Sequence, residues 1–196
     1  MFPKAKIALF ASGSGSNALK IIEHLQKEAN FILFCNKAQA PVIEKCLALG
    51  IETVVFNRND FYQTQVVEKY LAARQIDLIV LAGFLWLLPP TLIAQYPKRI
   101  INIHPSLLPQ YGGKGMYGAH VHQAVFEAAE AQTGITIHFV NEKYDEGEII
   151  LQKSVSLSYP PDTPETIARK VQILEHQYFP QVVAQWISEN FTKDVE

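Results

Sequence analysis

An amide and an imidazole two residues apart, Asn102 and His104 in the run Ile100-Ile-Asn-Ile-His-Pro-Ser-Leu-Leu-Pro109, are the side chains of this sequence best suited to chemistry. Side chains alternate along an extended strand, so positions 102 and 104 project to one face while Ile101 and Ile103 project to the other. An amide N–H can donate to an oxyanion, and an imidazole can take or give a proton near neutral pH. Together they cover the two demands of acyl transfer. Pro105 has no N–H for a sheet ladder and stops the strand. A single histidine at a strand end is by itself more often structural than catalytic, so the neighbouring elements must decide.

The bulk properties narrow the field. A chain of 196 residues fits one domain with a full core, taken here as a single unit over 1–196. With 48% hydrophobic and 18% charged residues it has ordinary globular composition. A formal net charge of −2 supplies no basic field, so nucleic acid is not an expected partner. Cys35 and Cys46 have neither metal nor redox spacing, and two thiols in a chain this size suit a reducing, cytoplasmic setting. Met1-Phe-Pro-Lys4 leads into an apolar strand of about five residues, too short for a signal core or a membrane span. The expectation is a soluble, untargeted chain without a membrane partner.

Ile7-Ala-Leu-Phe10 reads as a strand buried on both faces, followed by Ala11-Ser-Gly-Ser-Gly-Ser-Asn17 and a helical pattern carrying Leu19, Ile22 and Leu25 inward. Gly13 and Gly15 let the backbone approach a ligand, and free N–H groups at the helix start would favour a phosphate. The motif is incomplete as a G-x-G-x-x-G and lacks a P-loop lysine. A plain connector with Ser16 as N-cap is the competing reading. Further strands are expected at Phe31–Cys35, Ile51–Phe56 and Asp77–Ala82, with helices over Pro41–Leu49, closed by Gly50, and Phe61–Arg74. Alternation at this length predicts an α/β, Rossmann-like fold: a mostly parallel central sheet of about seven strands, flanked by helices on both faces. Such sheets bind ligands beyond the carboxyl ends of their strands, where Asn17, Gly83 and His104 all fall.

The later chain supplies candidate walls and a cover. Gly83-Phe-Leu-Trp-Leu-Leu-Pro-Pro90 is too hydrophobic for a simple connector and could wall a pocket for a flat ring, or instead staple the next helix to the core. Four glycines in the seven residues Gly112 to Gly118 suggest a lid, from which Lys114 could reach an anion. His120 and His122, two apart, do not share a helix face, so a zinc pair is not expected and packing at a helix start is. Gly134–Val140 alternates as a half-covered strand with Thr136 and His138 on its polar side. The turn Asn141-Glu-Lys-Tyr-Asp-Glu-Gly147 either merely shapes the chain or brings Asp145 to His104, where a carboxylate would raise the imidazole pKa. A last helix is expected from Pro164 to about Glu189, broken or kinked at Pro180, with Gln172 and Glu175 on one face.

With Asn102-Ile-His104-Pro-Ser-Leu-Leu-Pro109 in view, the chain closely resembles the folate-dependent formyltransferases over nearly its whole length. Ser12-Gly-Ser-Gly-Ser-Asn17, Val80-Leu-Ala-Gly-Phe84, Asp145-x-Gly147 and Gln172-x-x-Glu175-His176 narrow the likeness to the branch that acts on glycinamide ribonucleotide. The resemblance implies formyl transfer from 10-formyltetrahydrofolate, as co-substrate, to the amine of that ribonucleotide in purine synthesis, with no metal. It implies an N-terminal phosphate-binding half over about 1–100 and a folate and catalytic half over about 101–196. Gly15, Ser16 and Asn17 would hold the phosphate, and Gln172 and Glu175 the ribose side. Leu85, Trp86, Leu87 and Leu88, with Asn102, Asn141, Glu142, Lys143, Tyr144 and Asp145, would contact the folate. Asn102 would steady the oxyanion, His104 would transfer the proton, and Asp145 would keep His104 protonated or orient a water. Many relatives carry a basic residue where Trp86 stands, so contacts to the folate's glutamate tail would differ here. The resemblance is compatible with a monomer or a homodimer. A formyltetrahydrofolate hydrolase, another folate-dependent formyltransferase and a non-enzymatic nucleotide-binding module are the alternatives.

Overall fold

The computed structural model describes residues 4–191. Seven strands form one sheet: β1 (Ala5–Ala11), β2 (Ala29–Cys35), β3 (Glu52–Val55), β4 (Leu78–Leu81), β5 (Ile100–His104), β6 (Gln132–Phe139) and β7 (Ile149–Ser156). Their spatial order is β3-β2-β1-β4-β5-β6-β7. Pairing is parallel from β3 to β5 and antiparallel at β5/β6 and β6/β7. Strand order reverses between β1 and β4, which opens a crevice at the carboxyl end of the sheet. The loops leaving these two strands are tied together there: Ser12 N donates to the Gly83 carbonyl at 3.2 Å and Leu85 N to Ser12 Oγ at 3.3 Å.

The period-two alternation of the strands assigns each face its own core. Ile7, Leu9, Val80, Ile101, Ile135 and Ile137 pack beneath α1 (Ser16–Leu25), α2 (Pro41–Ala48), α6 (Ala119–Glu127) and α7 (Pro164–Phe191). Ala8, Phe10, Phe34, Ile79, Leu81 and Ile100 pack beneath α3 (Arg58–Tyr62), α4 (Val66–Ala73) and α5 (Pro90–Gln95). Ile101 and Ile103 belong to the first face, so Asn102 and His104 necessarily point to the second.

Three expectations need correction. The helix expected over 61–74 is two, because an Asn57/Asp60 capping box starts α3 earlier and Gln65, at φ 55°, breaks the path. Buried Phe61 and Val67 are six residues apart, which on one continuous helix would aim them about 120° from each other. The break lets both reach the same core. β6 is not half-covered, since Thr136 and His138 on its polar face are as buried as its apolar residues. The chain after β5 seals them: Thr136 Oγ1 donates to the Ser106 carbonyl at 2.7 Å and accepts from Leu108 N at 2.9 Å. Finally, α7 is not broken at Pro180 but runs through it as one helix, with that proline buried together with Phe179 and Val183.

Gly134 is where β6 and β7 approach so closely that a Cβ would strike the Lys153 carbonyl oxygen and Leu107 Cδ2. Backbone cannot yield as a flexible side chain can. Gly134→Ala is expected to lower stability by about 1–3 kcal/mol, read as a lower urea midpoint at unchanged slope.

Candidate active site

Asn102 lies directly across the β5/β6 ladder from His138, and His104 across from Thr136. The His138 ring sits 2.8 Å through Nδ1 from the Phe139 carbonyl, which can only accept, so Nδ1 carries the proton. Its Nε2 then accepts from Asn102 Nδ2 at 3.2 Å. This bond fixes the amide orientation and leaves the second Nδ2 hydrogen free. Sequence alternation had placed His138 beside Thr136, but its role behind Asn102 depends on strand register, which no local pattern carries.

His104 is 4% exposed. Its Nε2 donates to the Tyr111 carbonyl at 2.7 Å, while Nδ1 lies 3.5 Å from Asp145 Oδ2. Asp145, at φ 55°, is held from the other side by Gly113 N, which donates to the same Oδ2 at 2.9 Å. Its Oδ1 is 3.7 Å from His138 Nε2. Burial pushes the His104 pKa below its ordinary value and outweighs the opposing pull of Asp145 and the Tyr111 carbonyl. The expectation of a raised value is thus corrected: the carboxylate is present, but desolvation wins. Burial pushes the Asp145 pKa upward, yet it is held below the usual carboxylate range by the charge that the His138 and His104 rings carry when protonated and by the donating Gly113 N–H.

The glycine turn lines the same site. Gly15 is the N-cap of α1 at φ 70°, and a Cβ there would collide with Val42. Ser16 is the first helical residue and makes no side-chain cap, which disposes of the capping-serine reading. Because the first bond of the helix runs from Leu19 N to the Gly15 carbonyl, the N–H groups of Ser16, Asn17 and Ala18 have no intrahelical partner. Packing of α1 on α7 joins this turn to residues 158 positions away: Asn17 Nδ2 donates to Glu175 Oε2 at 2.9 Å. Asn17 Oδ1 is buried without a partner. Burial raises the Glu175 pKa, partly countered by that hydrogen bond.

One cleft of about 700 Å³ connects these groups. Its walls carry three groups: Gly15, Ser16, Asn17, Gln172 and Glu175; Asn102, His104, His138 and Asp145; and Leu85 to Leu88 with Asn141, Lys143 and Tyr144. Gly113 to Gly118, including Lys114, border it as well. Glu142 does not: Asn141 closes its own turn, accepting from Lys143 N and donating to the Glu146 carbonyl at 3.0 Å each, which leaves Glu142 outside. His122, expected to be a packing residue, is buried yet lines the cleft, and its Nδ1 has no partner. Arg58 is a residue the sequence reading did not single out; its guanidinium lies 5.2 Å from the ring centres of both Trp86 and Tyr62. Among the described residues no cluster of three or more His, Cys, Asp or Glu could hold a metal ion.

Residues 5–183 match the Formyl transferase family. The chain is 40% identical over 189 residues to the chloroplastic phosphoribosylglycinamide formyltransferase of Arabidopsis thaliana, covering 92% of this chain and 64% of that one. It therefore spans just under two thirds of the plant relative. Against the phosphoribosylglycinamide formyltransferase of Bacillus subtilis (strain 168) the identity is 37% over 194 residues, covering 94% of this chain and 96% of the relative. The crystal structure of phosphoribosylglycinamide formyltransferase from Bacillus halodurans superposes with a TM-score of 0.84 at 36% identity, covering 97% of this chain and all of that one.

A His104 pKa depressed by folding means that the unfolded chain takes up the proton first as pH falls. Its contribution therefore lowers stability on acidification through the ordinary histidine value toward the folded one. In an NMR titration His104 should lose its proton below 6.5, and lower still in Asp145→Asn, which removes a group that favours the imidazolium. A value at or above 6.5, or none of this response to the substitution, would contradict the assignment.

Proposed function

The chain belongs to the formyl transferase family, and from that premise we propose that it transfers the formyl group of 10-formyltetrahydrofolate to the amine of glycinamide ribonucleotide. The products are formylglycinamide ribonucleotide and tetrahydrofolate, in de novo purine biosynthesis. The observation that carries this reading is a single cleft lined by an amide donor, a titratable ring, a phosphate-receptive helix start and an apolar wall. The N-terminal half supplies the phosphate site and the C-terminal half the catalytic strand, in one cytoplasmic unit that works as a monomer or a homodimer. Small molecules are its partners, not nucleic acid or membrane. Among the described residues no helix is long and apolar enough to cross a membrane.

The free N–H groups around Gly15, Ser16 and Asn17 receive the ribonucleotide phosphate. Glu175, oriented by Asn17, and Gln172 take the ribose side. The pterin lies against Leu85 to Leu88 and the Asn141 to Asp145 turn. Arg58, stacked on Trp86, offers the tail carboxylates a cation in place of the basic residue that Trp86 displaces.

The amine attacks the formyl carbon, and charge grows on the formyl oxygen. The free Nδ2 hydrogen of Asn102 meets it. A proton must leave the attacking nitrogen and another must reach the folate N10 as its bond to carbon breaks. His104 rests neutral with Nε2 already committed to Tyr111, so Nδ1 takes the first proton and returns one to N10. Asp145, next to Nδ1, stabilises the imidazolium between the two steps.

Mixing the protein with formyl-folate should release tetrahydrofolate only when glycinamide ribonucleotide is present. Release without it would select a hydrolase, and no release in either case a nucleotide-binding module. Asn102→Ala should lower kcat about 10²–10³-fold and His104→Ala about 10²–10⁴-fold with the fold intact; fully active variants would refute both roles. Arg58→Ala should raise KM for formyl-folate while leaving kcat unchanged, and an unaltered KM would remove Arg58 from the tail site.

A further inference from the structure

We infer that Tyr111 and Glu130, neither of which lines the cleft, are a positioning pair that holds His104 in the tautomer proton transfer requires. The inference rests on the catalytic reading given above and adds two residues to it. Its physical basis is a competition for the imidazole proton. A neutral His104 has one N–H, and the strongest nearby attraction for it is the Asp145 carboxylate facing Nδ1. Were the proton to settle there, Nδ1 would have no lone pair for the substrate amine. The Tyr111 carbonyl, 2.7 Å from Nε2, draws the proton to the far side of the ring.

That carbonyl does not stay in place by default. Tyr111 has φ 56°, a left-handed conformation unfavourable for a residue with a side chain, and it enters the flexible sequence Gly112-Gly113. Something must over-determine it. The Tyr111 hydroxyl donates to Glu130 Oε1 at 2.6 Å, nineteen positions along the chain, where the segment between α6 and β6 turns. Glu130 is set by its own backbone, whose N–H donates to the Val125 carbonyl at 3.3 Å. The hydroxyl pKa is pushed up to about 12, chiefly by that bond to the carboxylate.

The same tether serves the other side of the ring. Two residues beyond Tyr111, Gly113 N holds the Asp145 oxygen that faces Nδ1. A clasp 19 residues long thus sets both neighbours of His104 through the main chain, without touching substrate. The titratable groups around the ring are Asp145, His138 and His122, and those around the Tyr111 hydroxyl are Glu130 and Tyr159.

The test compares Tyr111→Phe, Glu130→Ala and Glu130→Gln in the full chain. Nitrogen-15 NMR of the free protein reads the His104 tautomer without substrate, and steady-state kinetics read kcat, KM and the pH profile. Tyr111→Phe keeps the ring packing and loses only the bond. It and Glu130→Ala should convert His104 from a Nε2–H form to a mixture, lower kcat about 10- to 100-fold and leave both KM values within about twofold. The double variant should be no worse than the weaker single, and Glu130→Gln, which still offers an oxygen, should recover most of the loss. An unchanged tautomer, or a kcat within about twofold of the parent, would overturn the inference even if melting temperature falls. Lack of turnover by the parent protein would instead defeat the functional reading and leave the NMR outcome to judge the clasp.

Discussion

The site depends on β5 being paired in parallel with β4 on one edge and antiparallel with β6 on the other. Parallel pairing brings the end of β5 to the same rim as the ends of β1 and β4, where the glycine turn and the apolar loop start. Antiparallel pairing then sets His138 opposite Asn102, and the β6–β7 turn, which leaves β6 beside the start of β5, folds back so that Asp145 Oδ2 lies 3.5 Å from His104 Nδ1. A fully parallel sheet would need a long crossover at that point, and His138 would not then face Asn102 in this register. The change of direction is therefore what makes three sequence-distant groups neighbours.

Such a cluster is stable only because its polar atoms are spoken for. His104, Thr136 and His138 are each at most 4% exposed, and a buried polar atom left without a partner costs about 1–3 kcal/mol. Thr136 satisfies the Ser106 carbonyl, the Leu108 N–H and Gln152 Nε2, so the segment after β5 is stapled to β6. The same network that excludes water depresses the His104 pKa, and a ring that is neutral at rest suits a group that must accept before it donates. Burial and proton transfer are two consequences of one packing arrangement.

Much of this was legible in the residues themselves. Continuous apolar runs such as Ile7–Phe10 and Leu78–Leu81 mark strands covered on both faces, and Gly15 before the Leu19, Ile22 and Leu25 stripe marks the anion-receptive turn. Alternation alone put Asn102 and His104 on one face. What escaped was whatever requires knowing the facing element. The depth of His104, the support of Asn102 by His138, the cleft-lining position of His122 and the stacking of Arg58 on Trp86 all arise between segments far apart in sequence. The sign of the His104 shift lies beyond the sequence for the same reason: Asp145 is visible there as a charge, but desolvation is a property of everything packed around the ring.

Direct passage of the formyl group to an amine within this one cleft is the step on which the proposed function rests. It is tested most directly by following a ¹³C-labelled formyl group in a single turnover with enzyme in excess over formyl-folate and glycinamide ribonucleotide present. The expected result is loss of the folate formyl signal matched by growth of a formamide signal on the ribonucleotide. Appearance of the label as free formate, or a folate signal that persists unchanged, would contradict it.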